Sequence, residues 1–479
     1  MRRALRVCMV WGGLLVLPAV AQEPVSETPG APGVAAPPLT LEEVLASTQE
    51  QFPSILQALA KRRVAEGESL AALGNFDLVI SAEGTSRMSG FWDGDVAMGK
   101  VTQPFRSFGG SVFGQYQLSN GEFPIYEDQN FTNTGGTAKA GVVLSLLRDR
   151  DIDARRFAEK DAVYALREAD IDVLLTRVAV QQQAAIAYWN WVAAGQQMVV
   201  YTELLKIARD RDSGLIRQVA SGATAAIFLT ENQQNITRRR GFLTGAERDY
   251  ELAVNRLAFY FRDSEGESKI PDKARLPEKL RPVSPTDAAK LRTLTSLPAT
   301  IAGRPEVLRL QNTIQRAMQR LQLRENTLKP RLDLSLEVAE GFGSIAEGGA
   351  SRDSTDTVVS LNFSVPLQRR EATARVEQEK ARVDALQFEQ RQLEDQIDLE
   401  LKSILLNLRY AEQLAELAEL EVEQSAKLEE AELTRFKSGA SDFFLVNLRE
   451  VAVANARIKA VAAALATRRA QVNFDAATI

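Results

Sequence analysis

One pattern of residues occurs twice in this chain, and that duplication limits the fold more than any local motif. Ser221-Gly222-Ala223-Thr224 is matched by Ser438-Gly439-Ala440-Ser441. Leu147, with Arg155 eight residues on, is matched by Leu367 with Arg375. The first pair is 217 residues apart (438 − 221) and the second 220 (367 − 147), so the register is kept within three residues. Each copy reads strand, long helix, tight turn, long helix. A unit repeated at constant register supplies an equivalent wall to one internally symmetric structure.

The first copy spans 39–261. Thr40-Leu41-Glu42-Glu43 opens a helix predicted to reach about residue 73, with a break at Pro53. A β region follows at 76–147, with strands predicted at 76–84, 97–105, 111–119 and 137–147. A helix over 149–216, the Ser221-Gly222 turn and a helix over 225–261 complete the unit. The segment 262–303 carries Pro271, Pro277, Pro282, Pro285 and Pro298 and reads as a partly ordered connector. The second copy, 304–479, restarts at Arg304-Pro305-Glu306, the counterpart of Phe52-Pro53-Ser54. It has a helix to 329, a strand pair within 332–365, a helix over 369–436, the Gly439 turn and a helix over 442–474.

The opening of the chain has a different composition. Arg2, Arg3 and Arg6 precede the apolar run 7–17 and the small residues Ala19-Val20-Ala21, which predicts a secretory signal at 1–21. The Pro- and Gly-rich 22–38 reads as a flexible linker. Cys8, the only cysteine, falls within the signal, and the chain has no histidine. After cleavage there would be no disulfide, no thiolate or imidazole metal ligand and no histidine base. No catalytic, cofactor-binding or metal-ligating set is predicted. A net charge of −5 does not favour a polyanionic partner such as nucleic acid.

No later segment reads as a transmembrane helix, which leaves membrane strands to consider. In 332–338 Leu332, Leu334, Leu336 and Val338 alternate with Asp333, Ser335 and Glu337. In 359–365 Val359, Leu361, Phe363 and Val365 alternate with Ser360, Asn362 and Ser364. Such alternation fits a soluble sheet with one buried face as well as a barrel facing lipid. The barrel is the preferred reading, because the flanking amphipathic helices leave no face to cover a sheet. One chain has too few strands to close a barrel, so several copies must share it. Whether the two extra strands of the first half widen that barrel or form an external hairpin is open.

The helix over 369–436 would be about 100 Å long. It carries two apolar stripes, one through Leu401, Ile404, Leu408, Ala411, Ala415, Ala418 and Val422, the other through Leu406, Tyr410, Leu414 and Leu417. Two stripes predict two helical neighbours, as in a closed ring. A seam of small residues, Ala452, Ala456, Ala460 and Ala463, is expected on the last helix.

This order resembles the TolC-like outer-membrane efflux proteins over nearly all of the chain from about residue 39. The matching marks are Pro53 and Pro305, the duplicated Leu147–Arg155 spacing, Tyr188-Trp189 and the two Ser-Gly tips. The resemblance implies a mainly helical fold with membrane strands: a homotrimer whose outer-membrane β-barrel continues into a long periplasmic α-helical barrel. It implies an outer-membrane channel of a Gram-negative efflux or type I secretion system, not an enzyme. A periplasmic adaptor and an inner-membrane pump would dock at Ser221, Gly222, Ala223 and Thr224, and at Ser438, Gly439, Ala440 and Ser441. A helix C-cap accounts for the two glycines equally well. Family members often carry an aspartate a turn or two past the tip glycine; here Phe228 and Leu445 stand there, leaving Asp442, Arg449 and Glu450 as candidate gate residues. The alternative is a periplasmic coiled-coil scaffold or pump adaptor without a pore.

Other motifs have plainer readings. Gly341-Phe342-Gly343 reads as a loop tip, and Arg238-Arg239-Arg240 and Lys61-Arg62-Arg63 as solvated helix faces. The cargo is not legible in the sequence.

Overall fold

A computed structural model describes residues 37–280, 301–345 and 354–478. The predicted signal, nearly all of the linker, the 281–300 part of the connector and the last part of the Gly-rich tip after Gly343 lie outside the described residues.

Both halves contribute strands to a single antiparallel sheet. The first gives β1 (Val79–Ser86), β2 (Asp95–Pro104), β3 (Gly110–Asn120) and β4 (Thr137–Ser145). The second gives β5 (Arg331–Gly341) and β6 (Asp356–Ser364), and the spatial order is β1-β2-β3-β4-β5-β6. The two extra strands of the first half therefore pair within the same sheet as the other four.

Directly paired residues share a face of a sheet. One ladder runs Ile80, Val101, Gly114, Ala140, Val338, Thr357 across all six strands. The next row on that face is Val112, Val142, Leu336, Val359. Beyond the first row, on the opposite face, run Ser81, Lys100, Gln115, Lys139, Ala339 and Asp356, and between the two rows that opposite face carries Val79, Thr102, Phe113, Gly141, Glu337 and Val358. The sheet thus has one mainly apolar face and one more polar face. Ile80 is 74% exposed, Val359 66% and Leu361 62%. Among the described elements no helix packs across the sheet to cover them.

The helices are α1 (Leu41–Gln51), α2 (Pro53–Leu73), α3 (Ala154–Ala220), α4 (Ala226–Tyr260), α5 (Pro305–Asn326), α6 (Arg370–Lys437) and α7 (Phe443–Ala477). Thr40 caps α1 by accepting from the Glu43 amide at 3.2 Å, and Pro53 occupies the first turn of α2, where its missing N–H costs nothing. The Glu43 side chain does not complete the box; it pairs with Arg275 and ties the connector to α1. The start of α3 is a correction of five residues, because Asp153 caps the helix by accepting from the Arg156 amide. Before it, Asp149 takes a left-handed φ of 66°, and at the matching junction Arg369 has φ 45°. They are the two non-glycine residues with positive φ among those described. The 220-residue offset thus reappears as the same backbone kink where sheet passes into helix.

α3 and α4 form one helical hairpin and α6 and α7 the other, while α7 and α5 pack on α3 and join the two halves. Arg316 of α5 clamps Asp161 and Glu168 of α3 at 2.9 and 2.7 Å. The largest core gathers Leu39, Val44, Tyr188, Trp191, Val192 and Leu257. Tyr188 donates to the Leu39 carbonyl at 2.8 Å, and burial pushes its phenol up to about 12. On α6 the first predicted stripe is covered: Leu401, Leu408, Ala411, Ala415 and Ala418 are buried. The second stays open, with Leu406 52%, Leu414 60% and Leu417 61% exposed. On α7 the buried seam is Val453, Ala454, Ala456 and Ala464, so of the four predicted alanines Ala456 alone is buried. No described helix is long and apolar enough to cross a membrane.

Candidate functional site: the two hairpin tips

Both tips close with the same hydrogen bonds. At the end of α3, Gly222 N donates to the Val219 carbonyl at 3.0 Å and Ala223 N to the Gln218 carbonyl at 2.9 Å. At the end of α6, Gly439 N donates to Phe436 at 3.0 Å and Ala440 N to Arg435 at 2.9 Å. These are paired Schellman motifs, which need a left-handed residue just past the helix. Gly222 supplies φ 72° and Gly439 φ 77°. The flanking serines reinforce them, Ser221 donating to the Gln218 carbonyl at 3.0 Å and Ser438 to the Arg435 carbonyl at 2.9 Å. Thr224 reaches the Gln218 side chain, and Ser441 hydrogen-bonds Glu432. Ser221, Gly222, Ala223, Ser438, Gly439 and Ala440 are exposed, and Thr224 and Ser441 half-buried.

The three candidate gate residues have different surroundings. Asp442 is exposed and caps α7, accepting from the Leu445 amide at 2.8 Å. Arg449 is half-buried, and its Nε is buried with no hydrogen-bond partner among the described residues. Glu450 is 3% exposed and joins two elements of the other hairpin. It is paired with Arg211 of α3 and accepts from Arg239 of α4 at 2.8 Å. Asn447 accepts from Arg211 at 3.0 Å, and Arg239 also donates to the Leu204 carbonyl at 2.8 Å.

Arg239 is fully buried, which corrects the reading of Arg238-Arg239-Arg240 as a solvated face. Three consecutive helical positions fan over roughly 200°, so at least one of them turns inward on a helix with neighbours on several sides. Burial pulls the Arg239 guanidinium below its ordinary value, and Glu450 opposes that shift. Nothing in the sequence pairs Arg211 and Arg239 with Glu450, because the partners lie 239 and 211 residues apart.

An aromatic contact lies closer to the tips. Phe443 is 4% exposed and meets Phe228 of α4 edge-on at 6.2 Å and Phe436 of α6 at 6.5 Å, with Arg211 over its ring at 5.2 Å. Phe228 thus serves as packing between hairpins. The outer surface near the tips carries Ile227 (65% exposed), Phe444 (60%) and Leu448 (51%).

Solved structures share this architecture. The Vibrio cholerae outer membrane protein VceC matches at a TM-score of 0.62 and 15% identity, over 91% of this chain and 95% of that one. The open-state MtrE outer membrane channel of Neisseria gonorrhoeae matches at 0.63 and 14%, over 91% and 88%. The CmeC outer membrane channel of Campylobacter jejuni matches at 0.62 and 12%, over 91% and 85%. The chain has the fold of the TolC-like outer-membrane channels. At these identities the likeness is one of fold. No protein-family model and no curated protein sequence matches the chain. Within the TolC-like fold, the Glu450 network and the Phe443 contact hold one helical hairpin against the other just above the turns.

Proposed function

We propose that the chain is one subunit of an outer-membrane channel that carries cargo from the periplasm to the exterior in an efflux or type I secretion system. It does no chemistry. Three copies share a β-barrel in the outer membrane, and their helices form a duct through the periplasm. The observation that carries this reading is the mainly apolar face shared by the six strands, with no described helix on it and an open strand at each end. Lipid can cover the face, and sibling chains can cover the edges. A soluble scaffold would leave that whole face in water.

Two further observations support assembly. The uncovered stripe of Leu406, Tyr410, Leu414 and Leu417 offers a seam for the helix of a neighbouring copy. The exposed Ile227, Phe444 and Leu448 offer an apolar surface beside the tips, where a periplasmic adaptor bound to an inner-membrane pump would dock. Opening is a spreading of the hairpin tips, which the Glu450 pairs to Arg211 and Arg239 oppose. The test is purification of the full chain in detergent, followed by electrophoresis with and without heating and by planar-bilayer recording. A heat-modifiable oligomer with ion conductance is expected. A water-soluble, detergent-independent monomer overturns the reading.

A further inference from the structure

β3 and β4 are adjacent antiparallel strands, with Gln117 paired to Thr137, and such neighbours are usually joined by two to about five residues. Here the connection is the much longer segment 121–136, at the end of the sheet far from the helices. It does not project away from the sheet. Gln117 donates to the carbonyls of Gln129 and Asn130 at 3.2 and 3.3 Å. Ser119 N donates to Thr132 Oγ1 at 3.0 Å, and Thr132 N returns a bond to Ser119 Oγ at 2.8 Å. Gln117 and Ser119 share the face of Gln115 and Lys100, which is the polar one.

The segment is tied down at further points. Glu127 is ion-paired with Arg87, which follows β1 on the same side, and Arg87 holds the Glu127 carboxyl below its usual range. Phe123 is 3% exposed against Phe131, and a Cβ on Gly94 would collide with its ring. Thr132 and Asn133 are 3% and 2% exposed. The segment arches over a cavity of about 220 Å³ lined by Glu83, Arg87, Met98, Gln117, Phe123 and Glu127. Tyr126 stands clear of it, 85% exposed.

We infer that 121–136 is an inward-folded constriction at the outer mouth, which screens cargo by size after it has passed the duct. The inference rests on the channel reading: if the apolar face meets lipid, the polar face lines the lumen, and whatever packs on that face narrows the bore. The constriction joins β3, a strand of the β2–β3 pair that the second half lacks, to β4. It is fixed by direct hydrogen bonds and an ion pair, so its closed position needs no partner.

The experiment uses the one-cysteine background that Cys8 allows. A cysteine replaces Gln115, on the polar wall towards the helices, and intact cells are labelled from outside with a small maleimide and a bulky polymer-linked one. The same is done after residues 122–134 are replaced by a short Gly-Ser linker, and in R87Q, which releases Glu127. The small reagent is expected to react in every version. The bulky one should react several-fold faster in the linker version, with R87Q between. Equal bulky labelling with and without the segment overturns the constriction and leaves the channel reading intact. Failure of either reagent to reach the cysteine in any version, with the protein in the outer membrane, overturns the lumenal assignment and both proposals.

Discussion

Glu450 is a buried carboxylate between two guanidinium groups, so the cost of removing it depends on what it leaves behind. Glu450→Ala leaves the fully buried Arg239 without its counter-charge, a change that typically costs about 3–5 kcal/mol. Glu450→Gln keeps an acceptor for both arginines and should cost clearly less. Thermal unfolding of the assembled protein measures both, and equal losses would show that shape and not charge is at stake. If spreading of the tips opens the duct, both variants should also conduct more than the wild type in bilayers. Glu429 on α6 gives the opposite electrostatic case. Burial, and then the charge of Glu450, push its carboxyl above the ordinary range, against the pull of Arg457, Arg211 and Arg239. A raised carboxyl binds its proton more tightly in the folded state, so its contribution to stability is full at low pH and is lost as pH rises through the raised value. Glu429→Gln should therefore melt higher than the wild type at neutral pH and level with it in acid. A constant difference across that range would remove Glu429 from the account.

At the level of single elements, the tips and the strands respond to substitution for different reasons. A Cβ at Gly222 or Gly439 would meet open space, so the constraint there is φ alone. Gly439→Ala should lower stability by about 1 kcal/mol, the left-handed penalty, and Gly439→Asn by less. Either variant should still assemble, and a loss of export with the oligomer intact would support the proposed docking role of the tips. In the sheet the faces decide. Leu334→Arg puts a charge on the apolar face and should cost about 2–4 kcal/mol if that face is at mid-bilayer. Ser335→Arg, one residue on, should be tolerated, and chemical unfolding from liposomes separates the two. The strands and long helices were legible in the sequence because a period of two, or of three to four, survives without knowledge of the partners. The tips were legible because they are duplicated. The buried role of Arg239 was not legible, since a triple arginine gives no sign of which member turns inward. Nor was the fold-back of 121–136, whose bonds are made by ordinary Gln, Ser and Thr side chains to a strand of the same hairpin.

For the whole molecule the question is whether a sheet of six strands can continue into a ring of helices without a step. Strands about 4.8 Å apart and tilted by about 40° give each chain roughly 38 Å of barrel wall. Four helices side by side, at about 8–10 Å each, give roughly 32–40 Å of duct wall. The two widths agree whatever the number of copies. Four strands would give only about 25 Å, and the wall would have to taper. In the proposed channel the β2–β3 pair would therefore match the barrel to the duct, and three copies would close eighteen strands. The remaining requirement is at the edges. β1 and β6 run antiparallel, so β6 of one copy can pair with β1 of the next and keep the alternation around the ring. Neither strand carries a proline or lysine, the residues that guard an edge against pairing. In the assembled protein the amides of β1 and β6 should then resist hydrogen exchange as strongly as those of the central β3 and β4. Before assembly, β1 and β6 should exchange much faster than the strands between them. If β1 exchanges freely in the assembled protein, the seam of the proposed barrel lies elsewhere, and β1 and β2 would hang on it as a flap and not form part of its wall.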